Sequence, residues 1–243
     1  MRIRLMTFNI QHGFDHVEKG GIRLDKMADV ICRFDPDIIA LNEVRSGGEY
    51  GNQEKILSEL TGMKHHAFAQ AICDGHGPYG NALLSKYPIK SALTYPVEDT
   101  YYDKLNHYES RVIMKSEILL PGSDDQILSV FISHFGYQSP AEAKNGIKLL
   151  KSLTAQVQVP FVFMGDLNNT PDSPALAPLF DMLDDTIKLA GAAAAQKPSF
   201  PSDNPKEKID YIFVSHGLRC VNADIPLDAI ASDHLPHIAE IEI

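Results

Sequence analysis

The sequence predicts mixed β-sheets with helices packed outside them, folded as one domain over residues 1–243. Three observations lead there. Apolar runs of strand length alternate with helical patterns only part of the way, and adjacent pairs of strand-like runs break the rhythm, which disfavours a purely parallel doubly wound sheet. With 243 residues, 44% of them apolar, the chain can bury a substantial core. The polar residues of chemical interest lie toward both ends of the chain, so they meet only if it folds as one unit.

The elements follow in order. Ile3 to Ile10 reads as a strand, and Leu24 to Phe34 as a helix with Leu24, Met27, Ala28 and Ile31 on one face. "DPDIIALNEV" turns and enters a short buried strand. Asn52 to Leu60 is a helix expected to turn Ile56, Leu57 and Leu60 inward. His65 to Ile72 and "GNALLSKYPI" are strands, with Pro88 at a turn. Glu98 to Asn106 is a polar and aromatic surface loop. His107 to Leu119 is a strand followed by the turn "PGSDD", and Ile127 to His134 is another strand. Pro140 to Val157 is a helix with proline in its first turn and Ile147, Leu150 and Leu153 on one face. Phe161 to Met164 is a strand, Pro174 to Leu183 one or two helical turns, and "GAAAAQKPSFPSDNPKEK" mostly loop, with a short helix open to its alanines. Ile209 to Val214, Leu218 to Asp224 and His237 to Ile241 complete the strands.

Lys plus Arg number 22 against 32 Asp plus Glu, a formal charge of -10. This argues against a large basic surface for duplex nucleic acid and favours a small or single-ended substrate. Cys32, Cys73 and Cys220 form neither a disulfide framework nor a thiolate metal set, and are expected as buried free thiols. No signal peptide or membrane span is visible, so a cytoplasmic, monomeric protein is the expectation.

Polar groups gather where apolar runs stop. Asn9 ends the first strand, Glu43 the "IIALNEV" run, His134 "VFISHFG", and Asp166 and Asn168 "VFMGDLNN"; Asp233 and His234 sit in "IASDHLPH". Singly, each pattern is that of a solvated strand end. Together they suit a metal-dependent hydrolase: Glu43 offers a hard oxygen ligand of the kind magnesium prefers, and the histidines can receive a proton or stabilise developing charge.

The stretches "MTFNIQHG", "IIALNEV", "GNALLSKYPI", "ESRVIM", "SHFG", "MGDLNNTP", "KIDYIFVS" and "SDHLPH" resemble, in order from Met6 to His237, the endonuclease/exonuclease/phosphatase superfamily, whose members resemble DNase I. The resemblance implies an α+β fold, a four-layer α/β/β/α sandwich of two mixed sheets with helices outside. It implies phosphoester hydrolysis with Mg2+ or Mn2+, one or two ions. On that basis Glu43 is the principal metal ligand, with Asn9 near the metal or orienting it. Asp166 positions or deprotonates the attacking water, and Asn168 holds phosphoryl oxygens. His234 contacts the phosphate, oriented by Asp233, and His134 is the second phosphate-side histidine. Whether Asp166 or the His234–Asp233 pair is the base stays open.

Further positions carry two readings each. Asp210 in "KIDYIFV" supports the site's histidine or backbone, or is a turn residue at a strand start. Glu109 and Arg111 alternate and share a face, toward phosphate or as a surface pair. Asn81 binds substrate or backbone, or caps a turn. Tyr101, Tyr102, His107 and Tyr108, with Phe135 and Tyr137, can stack a base or sugar, or are ordinary loop aromatics. The substrate is a phosphoester, a small molecule or a nucleic acid end. A dedicated DNA or RNA nuclease and a catalytically retired binding protein of the same fold are the alternatives. No "GxSxG", Walker, dinucleotide or "HExxH" pattern supports a different enzyme class.

Overall fold

The computed structural model describes residues 1–122, 126–191 and 197–243. It opens with β1 (Arg2–Asn9), α1 (Leu24–Phe34), β2 (Ile38–Arg45), α2 (Gln53–Thr61), β3 (His65–Asp74), β4 (Gly77–Ser85) and β5 (Ile89–Pro96). β6 (Val112–Leu119), β7 (Ile127–Ser133), α3 (Pro140–Thr154), β8 (Phe161–Asp166) and α4 (Ala177–Met182) follow. β9 (Asp184–Asp185), α5 (Thr186–Leu189), β10 (Asp210–Val214), β11 (Arg219–Asp224) and β12 (His237–Glu242) complete the chain.

The strands form two six-stranded sheets, ordered β11-β12-β1-β2-β4-β3 and β5-β6-β7-β8-β10-β9. Each sheet holds one parallel pair near its centre, β1 with β2 and β7 with β8, and every other pairing is antiparallel. The parallel pairs are the two places where a helix crosses over, α1 and α3. Their strands therefore point the same way, and Asn9, Glu43, His134 and Asp166 all lie at or next to their carboxyl ends. That is where open sheets generally hold ligands.

Alternation sorts the core. Ile3, Leu5, Ile38 and Ala40 of one sheet meet Val130, Ile132, Val162 and Met164 of the other between the sheets. The opposite faces, Met6, Phe8, Ile39 and Leu41, pack under α1 and α2. Phe131, Phe163 and Phe213 pack under α3 and α4. This makes the four layers expected of the family resemblance. α3 starts where it does because Ser139 Oγ accepts from Ala141 N–H at 3.2 Å while Glu142 Oε2 accepts from Ser139 N–H at 2.9 Å, with Pro140 in the first turn.

Several expectations are corrected. Leu60, expected inward, is 50% exposed, whereas Leu57 is fully buried as expected. β6 begins at Val112 rather than His107, because residues before it pair only through the isolated Tyr101–His107 bridge. α3 stops at Thr154, three positions before Val157. Cys32 and Cys73 are exposed and Cys220 half-buried, so none is a core thiol. β9 and α5 fall in a stretch too short to show a period. The alanine helix and the end of the "PGSDD" turn lie outside the described residues. Among the described residues no helix is long and apolar enough to cross a membrane.

Candidate active site

The run "VPFVFMGDLNNTP" stops being apolar at Gly165 because the backbone turns there. Gly165 has φ +147°, and a Cβ on it would lie 1.9 Å from the Ser133 carbonyl oxygen. This close approach brings the ends of β7 and β8 together, with Phe135 N–H donating to the Asp166 carbonyl at 2.9 Å. Asn42 clips the junction from the other sheet. Its Nδ2 donates to the Ser133 carbonyl (3.1 Å) and to Asn81 Oδ1 (2.8 Å), and its Oδ1 accepts from Asp166 N–H (2.9 Å). A fully buried amide with these contacts fixes the two sheets to each other beside the site.

Glu43 follows Asn42 in a β-bulge, where the β2–β4 register slips between Leu41 and Val44. Its φ of +58° is left-handed, an unfavourable conformation for a glutamate that turns the side chain out of the sheet alternation. Asn9 lies beneath, fully buried. Its Nδ2 donates at 3.0 Å both to Glu43 Oε1 and to Asp166 Oδ2, while its Oδ1 accepts from Gln11 N–H. Asn9 was expected near the metal or orienting it; as folded its amide nitrogen spaces Glu43 and Asp166 while its oxygen turns to Gln11 N–H.

Asp166 is the hub. Its Oδ1 accepts from Asn168 N–H at 2.9 Å, holding Asn168 at φ +48°. Its Oδ2 faces His134 Nε2 at 3.5 Å and His234 Nε2 at 3.6 Å. Burial raises the Asp166 carboxyl, and Asp210 beside it adds to that against the pull of His234, to about 7. Asp210 is its direct cross-strand neighbour on β10.

The histidines differ in what stands behind them. His234 Nδ1 lies 2.8 Å from Asp210 Oδ2. The expectation that Asp233 orients His234 is therefore corrected: Asp233 Oδ1 accepts from Ser232 Oγ instead. Of the two readings of Asp210, support of the site's histidine is the one its position fits: it is fully buried behind the ring and does not line the cleft where substrate would sit. Burial alone would lower His234, but the charges of Asp210 and Asp166 outweigh it and raise it to about 10. His134 Nδ1 lies 3.1 Å from Arg111 Nη1. A guanidinium only donates, so this contact calls for an accepting Nδ1; the Asn168 amide nitrogen facing Nε2 is a donor as well, and two donor neighbours disfavour an imidazolium. Burial and the Arg111 charge push His134 well below its ordinary value. Asn168 Nδ2 lies 2.9 Å from Nε2 and donates to the Phe135 carbonyl.

These groups open on a cleft of about 420 Å³, whose lining includes Glu43, Arg111, His134, Asp166, Asn168 and His234. Asp233 lines it too. Tyr108 does not; it packs on Tyr102 at 5.1 Å between ring centres. Asn81 is buried behind Asn42, and Phe135 is a core residue, so neither reaches the cleft. Tyr137 lines it, as do Tyr79, Phe200 and Glu207, which sequence reasoning missed. Asn42 was missed as well. An asparagine inside an otherwise apolar strand was its only signal.

The donor set suits a hard divalent cation. Ion pairs join Arg111 to Glu109, and the histidines to Asp166 and Asp210, leaving Glu43 and Asp233 unpaired among the described residues. Burial raises the Asp233 carboxyl and the nearby Glu43 charge raises it further, a repulsion that a cation would relieve. Asp166, Asp210 and His234 also offer atoms within 4.8 Å of one another. The 2.8 Å bond from His234 to Asp210 already occupies that trio, whereas Glu43 and Asp233 have no ion-pair partner among the described residues.

The sequence profile described as "Endonuclease/Exonuclease/phosphatase family" matches residues 6–234. The chain belongs to this family, whose members are hydrolases of phosphoester bonds and generally use a divalent metal. It is 25% identical to the uncharacterized protein YbhP of Escherichia coli over 99% of this chain and 96% of that one. Its fold is similar to an endonuclease/exonuclease/phosphatase from Beutenbergia cavernae (TM-score 0.83, 23% identity, 100% of this chain and 72% of that one). It is also similar to the mannosyl-6-phosphatase Bt3783 of Bacteroides thetaiotaomicron (TM-score 0.78, 16% identity, 99% and 100%).

Proposed function

We propose that the chain, acting as one catalytic unit over residues 1–243, hydrolyses a phosphoester with Mg2+ or Mn2+ bound at Glu43, Asp233 completing the oxygen donors. The observation that carries this reading is the convergence of His134 and His234 on one oxygen of Asp166, at 3.5 and 3.6 Å, beside the unpaired Glu43. When bound, the cation supplies positive charge to the phosphoryl oxygens.

The protein's own groups divide the remaining work. Asp166, raised to about 7, is the group able to take a proton from water near neutral pH. His234 stays an imidazolium, so it is a charged donor to the phosphoryl group and no base. His134 stays a neutral ring, and the Asn168 amide lies 2.9 Å from its Nε2. Asp210 and Arg111 orient the two rings from behind. Phe200 stacks on His234 with ring centres 4.7 Å apart and covers that face.

The test is hydrolysis of p-nitrophenyl phosphate and its bis-ester with Mg2+, Mn2+ or a chelator. Metal-dependent turnover that falls in Glu43→Gln supports the reading. Turnover that ignores chelation contradicts it.

A further inference from the structure

The charge of the cleft bears on the substrate as well as on the chemistry. Five carboxylates line it (Glu43, Glu109, Asp166, Glu207 and Asp233) against one guanidinium, Arg111, and no lysine. Arg111 is already committed, with Nη1 2.8 Å from Glu109 Oε1 and 3.1 Å from His134 Nδ1. A divalent cation and the His234 imidazolium suffice for one phosphoryl group. No lining cation is left for a second. A strand of nucleic acid or a polyphosphate would bring its further charges against Glu207, whose charge no ion pair among the described residues offsets, where like charges repel.

Glu109 and Glu207 have no part in the reaction proposed above. Glu207 lies on a short hairpin in which Phe200 bridges to Glu207, is exposed, and has no cationic partner among the described residues. A carboxylate only accepts hydrogen bonds, so the complementary ligand must donate. Rings stand with these acceptors: Phe200 from the same hairpin, Tyr137 (71% exposed) from the loop after His134, and Tyr79. Ring faces take the C–H surface of a carbon skeleton while carboxylates take its hydroxyls. The volume of about 420 Å³ is that of a small-molecule site.

Resting on the phosphoesterase reading above, we propose that the substrate carries a single phosphoryl group on a hydroxyl-rich alcohol of the sugar or polyol class, its hydroxyls received by Glu109 and Glu207.

The experiment compares kcat/KM of the full chain with Mn2+ on p-nitrophenyl phosphate and its bis-ester, glucose 6-phosphate, glycerophosphoinositol, phosphocholine, inositol hexakisphosphate and a 5′-phosphorylated oligonucleotide. One of the two polyol esters is expected at least about tenfold above the p-nitrophenyl esters, with the hexakisphosphate and oligonucleotide at least about tenfold below them. A preference for the oligonucleotide, the hexakisphosphate or phosphocholine overturns the proposal, as does a flat profile. Exposed Glu207 can be reversed without touching the core. Glu207→Lys should raise the ratio of oligonucleotide to polyol-ester turnover by about tenfold or more, and an unchanged ratio removes Glu207 from recognition. Failure to turn over either p-nitrophenyl ester, with no Mn2+ binding by calorimetry, contradicts the phosphoesterase reading itself. Turnover of those esters without a polyol preference contradicts only the substrate class.

Discussion

His134 and His234 present Nε2 to the same oxygen of Asp166, yet the fold puts opposite charges behind them. Arg111 stands behind His134 and Asp210 behind His234. Both rings are buried, and burial lowers both. The carboxylates beside His234 reverse that effect, whereas the guanidinium beside His134 reinforces it. One side chain thus serves twice, as a cation and as a neutral ring, according to the residue placed behind it. The two come from different regions, His134 from the end of β7 and His234 from the loop entering β12. Asp210 reaches His234 from β10 across the sandwich.

Removing the charged member should cost most. His234→Ala is expected to lower kcat by about 100-fold or more, while His134→Ala, which removes a neutral ring, should cost about tenfold. Steady-state kinetics on a p-nitrophenyl ester would measure both, and equal losses would break the comparison. Glu43→Gln should lower activity by at least about tenfold, with partial rescue by excess Mn2+. A metal titration of activity without rescue would remove Glu43 from the cation site.

The charge behind His234 can also be removed alone. Activity in the wild type should rise as Asp166 deprotonates through about 7 and fall as His234 deprotonates toward about 10. Asp210→Asn takes away a carboxylate that raises His234, so the imidazolium loses its proton at lower pH. The alkaline limb of the kcat profile should move down by about one pH unit or more. An unmoved limb would mean that His234 does not act as a cation. The smallest effect concerns the scaffold that both histidines share. Asn42→Ala strands Asp166 N–H and should destabilise the protein by about 1–3 kcal/mol in urea unfolding.

Much of this was legible in the sequence. Strand and helix cores could be read because apolar periodicity is local, and α1 runs over the span its pattern predicts. Glu43, His134, Asp166, Asn168, Asp233 and His234 could be read because each interrupts an apolar run, and the cleft brings all six together. Pairings across the fold were not legible. Ser232-Asp233-His234 puts an aspartate next to the histidine in the chain, but that carboxylate turns to Ser232 while a residue 24 positions away takes the ring. Asn42 looked like part of a strand because its three partners lie on other strands. Phe200 and Glu207 lie in a loop without periodicity, and only their hairpin brings them to the cleft.

The most direct test of opposed charge states is an NMR titration of 15N-labelled imidazoles in the resting protein. At neutral pH His234 should show an imidazolium that persists toward about 10, and His134 a neutral ring. Two histidines titrating together near the ordinary value of 6.5 would contradict the account.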